Sequence, residues 1–310
     1  MLLDAILFIF SFIVLWFGAG IAVNSVEKVA RGLKIAPFIV SFFILGLLTS
    51  AGEISVGIFS VLDKTPEISV GNIIGASVVL TLLAIPLLSV LNGGVNFGVS
   101  EHPVNFSISY LIISLPVFLI LDGVISMLDA YIMLGAFIFL IASVSRRSRL
   151  LQRVEDILIH PRVNMLGEMS KVIAGMVCVI FAGKFIVDST VLYSEQFSLS
   201  PFVIGLLLLA LGTNLPELSV LARSVVAHRN DVAMGDYVGS AAINTLILSG
   251  VVFLNGAPIV ISTGLKPNIA LLPIGGLLFL VFTKDNRLGK KEGFLLLGLY
   301  ALFIFVELFV

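Results

Sequence analysis

The chain has 310 residues, 59% of them hydrophobic and 12% charged, with a net charge of −1; soluble globular domains carry about a quarter charged residues. That composition excludes a soluble domain, and the continuous Leu-, Ile- and Phe-rich runs exclude a transmembrane barrel of short alternating strands. The near-neutral charge gives no footing for nucleic acid, and Cys178, the single cysteine, excludes an intramolecular disulfide framework.

In chain order the predicted helices are 3–26, 37–61, 68–91, 106–121, 127–144, 165–188, 200–227, 232–254, 268–282 and 292–309, ten in all. Most are long enough to cross a hydrocarbon layer of roughly 30 Å, and helices satisfy their own backbone in lipid. Residues 3–23 read as the first span rather than a cleaved signal peptide, being too long and too polar at their far end. Alternating the loops between two sides gives one side Lys28, Arg31, Lys34, Arg146, Arg147, Arg149, Arg153, Arg162, Arg229, Lys284, Arg287, Lys290 and Lys291, and the other Lys64 and Lys266. The richer side is expected to be cytoplasmic. A multi-pass protein of the cell membrane, surrounded by lipid and with both termini outside, follows from that reading.

Laying Pro37 on Pro201 reveals an internal repeat. At a constant offset of 164, Pro37, Phe38, Leu45, Leu47, Thr49, Glu53, Ser55, Val56, Ser60, Val61, Gly71, Gly75, Thr81 and Leu82 meet their own residue type, 14 matches in 46 positions. Several of these are Glu, Gly, Thr and Pro, which shared greasiness does not explain. The expected organisation is a first repeat at 1–144, a cytoplasmic linker at 145–164 and a second repeat at 165–310, with five helices per repeat. An odd number inverts the second copy, so the halves are related by a pseudo-two-fold axis in the membrane plane, as in secondary transporters.

The second helix of each repeat carries the unusual residues: LGLLTSAGEISVG at 45–57 and LALGTNLPELSVL at 209–221. Glu53 falls about 16 residues into its helix, ~24 Å along the axis at roughly 1.5 Å per residue, and the offset puts Glu217 at the same depth. Intramembrane carboxylates are costly and mark function. Pro216 lacks the N–H that would reach back to Gly212 and crowds that carbonyl; Gly52, its counterpart, permits bending without removing a donor. Freed carbonyls beside Thr213 and Asn214, together with the Glu, Thr, Ser and Asn side chains, make an all-oxygen palette suited to a hard cation and poor for copper or zinc. The facing helices, GNIIGASVVLTLL at 71–83 and GDYVGSAAINTLI at 235–247, bring small-residue faces and the oxygens of Ser77, Ser240, Asn244 and Thr245. Asp236 reads equally well as an N-terminal helix charge.

With LLTSAGE at 47–53, GNIIGAS at 71–77, ALGTNLPE at 210–217 and GDYVGSAAINT at 235–245, the chain resembles the cation/Ca²⁺ exchanger superfamily. The resemblance spans the ten-helix plan. It implies that Glu53 and Glu217 bind Ca²⁺, that Thr49, Ser50, Thr213, Asn214, Ser77 and Ser240 lie near sodium-binding positions, and that the first and sixth helices slide to alternate access. The central amide of the first repeat falls on Leu80 and that of the second on Asn244, while Gly52 and Ala76 replace proline and serine. The first-repeat site is therefore poorer in side-chain oxygens.

The function so implied is antiport of Ca²⁺ against Na⁺, with exchange against H⁺ as the alternative and a non-transporting scaffold or a channel as readings of another class. No cofactor is expected, the ions being cargo. His102, His160 and His228 lie in or near loops with no nucleophile arranged beside them, so an enzyme is not expected.

Overall fold

The computed structural model describes residues 2–32, 46–96, 106–151, 164–197, 200–215, 217–218, 221, 230–261, 271–285 and 287–309. Within these the chain is an all-α, polytopic membrane protein. Its helices are α1 (Leu2–Gly32), α2 (Gly46–Thr49), α3 (Ala51–Leu62), α4 (Pro66–Asn92), α5 (Phe106–Leu119), α6 (Met127–Leu151), α7 (Met165–Phe197), α8 (Pro201–Thr213), α9 (Asn230–Asn255), α10 (Leu271–Phe282) and α11 (Lys290–Phe309). Counting α2 and α3 as one interrupted span, the ten expected helices are present among the described residues. Pro37, Phe38, Leu45, Pro216, the three histidines, Lys34, Arg153, Arg162, Arg229 and Lys266 lie outside those residues.

Three expectations about helix ends need correction. α1 runs to Gly32, α6 to Leu151 and α7 to Phe197, past the expected ends at 26, 144 and 188. Hydropathy marks where a helix leaves the hydrocarbon, and the polar stretches that follow contain no proline to stop it. The spans 37–61 and 200–227 are both interrupted, the second close to the break expected at Pro216. α2 and α3 are separated at Ser50 (φ −75°, ψ 11°), and α8 ends at Asn214 (φ −83°, ψ 3°). Both residues sit in the bridge region of backbone space, and they are 164 residues apart.

The inverted repeat is visible in the packing. α4 lies along α8, while α9 lies against α2 and α3. The outer helices cross over in the same way, α5 and α6 packing on α9 of the other repeat and α10 and α11 on the second half of α4. At the closest crossings a Cβ on Gly75 would strike the Leu206 carbonyl and the Ala210 side chain, and one on Gly46 would come within 2.9 Å of the Gly239 carbonyl carbon. Adding 164 to Gly75 and to Gly46 gives Gly239 and Ala210, so the two crossings are one contact repeated. Small residues are required where helix backbones approach this closely.

Two short antiparallel ribbons close the bundle at opposite ends. Val95–Asn96 (β1) pairs with Arg287–Leu288 (β4), and Val124–Ile125 (β2) with Ile259–Val260 (β3), so each ribbon joins one repeat to the other. Asn92–Gly93 and Asn255–Gly256 end the third helix of each repeat, the glycines at φ 73° and 69°, the left-handed cap that favours glycine. These pairs are 163 residues apart. The missing residue has a structural cause: α4 contains a π-helical turn at Val79–Ala84, which accommodates one extra residue within a helix, and α9 is α-helical throughout.

Helices α1 and α7 form a pair at the edge of the bundle. They pack mainly on each other and present Ile9, Phe10, Ile13, Phe17, Ile173, Ile180 and Phe181 outward. Lys28 of α1 reaches Glu168 of α7 at 3.5 Å. Toward the bundle, Ser55 of α3 seats against Gly183 of α7, and Lys184 bridges Asp63 and Asp188, both at 2.7 Å. Leu15 rests against Gly52, and the Phe12 ring fills the space a side chain at Gly212 would need. The α1–α7 pair thus covers the two interrupted helices.

Candidate cation site

The two interruptions meet near the middle of the protein, under Leu15. Thr49, Ser50, Glu53, Thr213, Asn214 and Ser240 are fully buried or within 2% of it, as are Glu217 and Asn244. Glu53 lies within direct electrostatic range of Glu217. The Thr213 hydroxyl stands beside Glu53 and that of Thr49 beside Glu217. Each carboxylate is thus attended by the threonine of the opposite repeat, and the Thr213 side chain packs close over Gly52. Both acids stand one turn past a residue in the bridge region.

Several oxygens in this cluster have no protein partner: both oxygens of Glu53, Oε2 of Glu217, the Ser50 hydroxyl, Oδ1 of Asn214 and Oδ1 of Asn244. Buried polar atoms without a partner cost stability, and here they concentrate on residues from both repeats. The rest of the polar set is held in place. Thr49 Oγ1 is 2.9 Å from Ser240 Oγ, linking α2 to α9. Thr213 donates to Asn72 Oδ1 at 3.1 Å, linking α8 to α4. Asn214 turns its amide nitrogen to the Ala210 carbonyl at 2.7 Å, leaving its oxygen free. Asn244, one helical turn beyond Ser240, shares that residue's face of α9.

Ser77 does not join the carboxylates. Its hydroxyl donates to the Ile73 carbonyl at 3.2 Å, and the residue lines a separate, partly open pocket with Thr81, Ser114, Pro273 and Gly276. Thr245 likewise turns to the Ile112 carbonyl, 3.2 Å away. A step of about 100° per residue puts position 77 on the far side of α4 from Gly75, which faces Ala210. The residue that mirrors Ser240 at the offset of 164 is Ala76, and the mate of Asn244 is Leu80; both are buried. Asn72 is the polar neighbour that the motifs passed over. Its pairing with Asp236 across the repeats is the signal that would have found it.

No group of three or more His, Cys, Asp or Glu converges among the described residues, and the described acidic side chains of the site are Glu53 and Glu217, with two negative charges when ionised. One hard divalent cation, or two monovalent ones, would balance that charge.

Residues 3–145 and 170–309 both match the family described as sodium/calcium exchanger protein. An uncharacterized membrane protein of Methanocaldococcus jannaschii is 25% identical over 301 residues, 96% of this chain and 95% of its own. Among solved structures, the sodium–calcium exchanger NCX_Mj superposes with a TM-score of 0.67 at 23% identity, covering 98% of both chains. The H⁺/Ca²⁺ exchanger CAX superposes with a TM-score of 0.74 at 15% identity, covering 99% of this chain and 82% of that one.

Proposed function

We infer that this chain, which belongs to the sodium/calcium exchanger protein family, is an antiporter that exchanges Ca²⁺ for Na⁺ by binding either ion between Glu53 and Glu217. Membership makes it a secondary cation exchanger of the membrane, not an enzyme. The observation that carries the specific reading is the set of unpartnered oxygens on Ser50, Glu53, Asn214, Glu217 and Asn244, drawn from both repeats and buried from solvent. Carboxylates, hydroxyls and amide oxygens are the ligands of Ca²⁺, and backbone at an interrupted helix supports such sites in repeat-built transporters.

Exchange follows from sharing. Ca²⁺ and its counter-ions need the same two carboxylates, so they bind in turn. A site empty of cations leaves two like charges facing each other in a dry interior, which opposes the change of access. A loaded site has no such penalty. The α1–α7 pair, seated on the breaks through Leu15 and Phe12, is the element whose displacement would open the site to one side or the other. Thr49 and Thr213 orient the ligands and hold the interrupted helices to their neighbours. With thirteen basic residues on one side, that side faces the cytoplasm and both termini face outside.

Coupling to H⁺ is the second reading, favoured by Ala76, which leaves Thr213 without the hydroxyl that Ser240 gives Thr49, and so weakens one position for Na⁺. Flux of radioactive Ca²⁺ into proteoliposomes separates the two. An outward Na⁺ gradient is expected to drive uptake at matched pH, whereas a proton gradient alone is expected to leave it at background. Uptake driven by the proton gradient and indifferent to Na⁺ would replace Na⁺ with H⁺. Uptake indifferent to both gradients would contradict antiport.

A further inference from the structure

We propose that Lys184 is a latch on the outer entrance to the cation site, holding α7 against α3 where that route opens, and that it makes the two faces of the protein unequal. The inference rests on the reading of the chain as an antiporter with both termini outside. Ser55, Phe59 and Asp63 follow one another at every fourth residue, so they form one stripe along α3, and α7 meets all three. Nearest the site, Ser55 Oγ lies 3.4 Å from the carbonyl oxygens of Val179 and Ile180, and its side chain fills the notch at Gly183. At the far end Lys184 donates to Asp63 Oδ2 at 2.7 Å, is held from its own helix by Asp188 at 2.7 Å, and stands 5.6 Å from the centre of the Phe59 ring. Asp63 caps the C-terminal end of α3. It stands ten positions beyond Glu53, roughly 15 Å along the axis, beside Lys64 on the side poor in basic residues. The seam between α3 and α7 therefore runs from the carboxylates to the outer surface, and the ion pair closes its mouth.

The inverted repeat does not copy this tie. At the offset of 164, Lys184, Asp188 and Asp63 correspond to Gly20, Asn24 and Ala227, none of them charged, and a Cβ at Gly20 would meet no neighbour within 4 Å. These positions cannot form the same bridge on the cytoplasmic side. With the pair made, Glu53 and Glu217 are shut from solvent. Parting α7 from α3 at the outer end breaks the pair, whereas opening the site toward the cytoplasm leaves it intact. The pair is partly exposed and so contributes modestly, which suits a contact that must break and re-form in each cycle.

The test measures radioactive Ca²⁺ uptake by the full chain in right-side-out and in everted membrane vesicles, driven by an outward Na⁺ gradient, or by an H⁺ gradient if protons drive uptake. The quantity read is the half-saturating Ca²⁺ concentration at each face, since an apparent affinity is the intrinsic one reduced by the fraction of molecules open to that face. Lys184→Met keeps the stem and removes the charge. It is expected to lower the half-saturating concentration at the outer face by about two- to fivefold, the range open to an exposed ion pair, with no fall at the cytoplasmic face. Asp63→Asn is expected to do the same, and the double variant to match either alone. The two single variants change surface charge in opposite directions, so mere attraction of Ca²⁺ to the surface would move their values apart. Lys184→Arg, which can keep the pair, is expected to hold the native value. Loss of folded protein lowers the maximal rate and leaves the half-saturating concentrations where they were. That pattern, opposite shifts in the two single variants, or an equal fall at both faces overturns the latch while leaving antiport standing. Absence of Ca²⁺ flux in the native chain under either gradient overturns antiport, and the latch with it.

Discussion

A carboxylate is tolerated in a membrane interior when something shares its charge, and in this protein the sharing partner is expected to be the cargo. Glu53 and Glu217 are buried, each attended by a threonine of the opposite repeat, and among the described residues no cationic side chain is buried with them. Removing the hydroxyl of Thr49 or of Ser240 breaks a 2.9 Å bond between helices of different repeats. In a double-mutant cycle of Thr49→Ala and Ser240→Ala, thermal unfolding in detergent is expected to show a coupling of about 1 kcal/mol, the usual net worth of a buried hydrogen bond. A coupling near zero would mean that the hydroxyls do not meet. At this scale the sequence was most informative and also misled. Mirrored Glu and Thr residues at mid-helix depth stood out because hydropathy forbids them. Ser77 was drawn into the site as the nearest side-chain oxygen of its motif, although the offset of 164 from Ser240 lands on Ala76. One residue is a rotation of about 100° on a helix, enough to place a residue at another pocket.

Helices meet here through glycine, and the tolerance of each crossing can be ranked. A Cβ at Gly75 would collide with the backbone of α8, whereas at Gly52 it would meet the Leu15 and Thr213 side chains at 3.3 Å and 3.4 Å, ordinary or slightly tight contacts. Gly75→Val is therefore expected to cost several kcal/mol, in the range of severe overpacking, and to abolish accumulation of folded protein in the membrane. Gly52→Ala is expected to fold and to alter transport, since it changes the seat of α1 on the site. Equal folding of the two variants, followed by size-exclusion profiles, would contradict the packing described. The tie between α7 and α3 is a weaker matter. Lys184 and Asp63 are partly exposed, so Asp63→Asn should change stability by no more than about 1 kcal/mol, measured as a small shift in the midpoint of unfolding. Helix existence was legible because each apolar run is long. The π turn at Val79–Ala84 was not, because a periodicity of apolar residues carries no record of a single inserted residue; the break at Asn214 was legible in Pro216, and the one at Ser50 only as the bend that Gly52 permits.

For the molecule as a whole, the inverted repeat explains why a site forms at all. A single five-helix unit would present one carboxylate and an interrupted helix to lipid; the second copy, inverted, closes both and brings the matching acid. The crossings Gly75–Ala210 and Gly46–Gly239, the exchanged outer helices and the paired ribbons all obey that one operation. The repeat was readable from the offset alone. Its handedness in the packing was not, since sequence identity pairs residues of equivalent position rather than residues in contact. What the symmetry demands most directly is that neither acid suffices without the other. Ca²⁺ uptake into proteoliposomes under an outward Na⁺ gradient should fall by about a hundredfold or more in Glu53→Gln and in Glu217→Gln alike, and the double variant should be no worse than either, as for residues that act as one unit. Substantial uptake surviving in the double variant, with normal protein insertion, would contradict a shared cation between the two repeats.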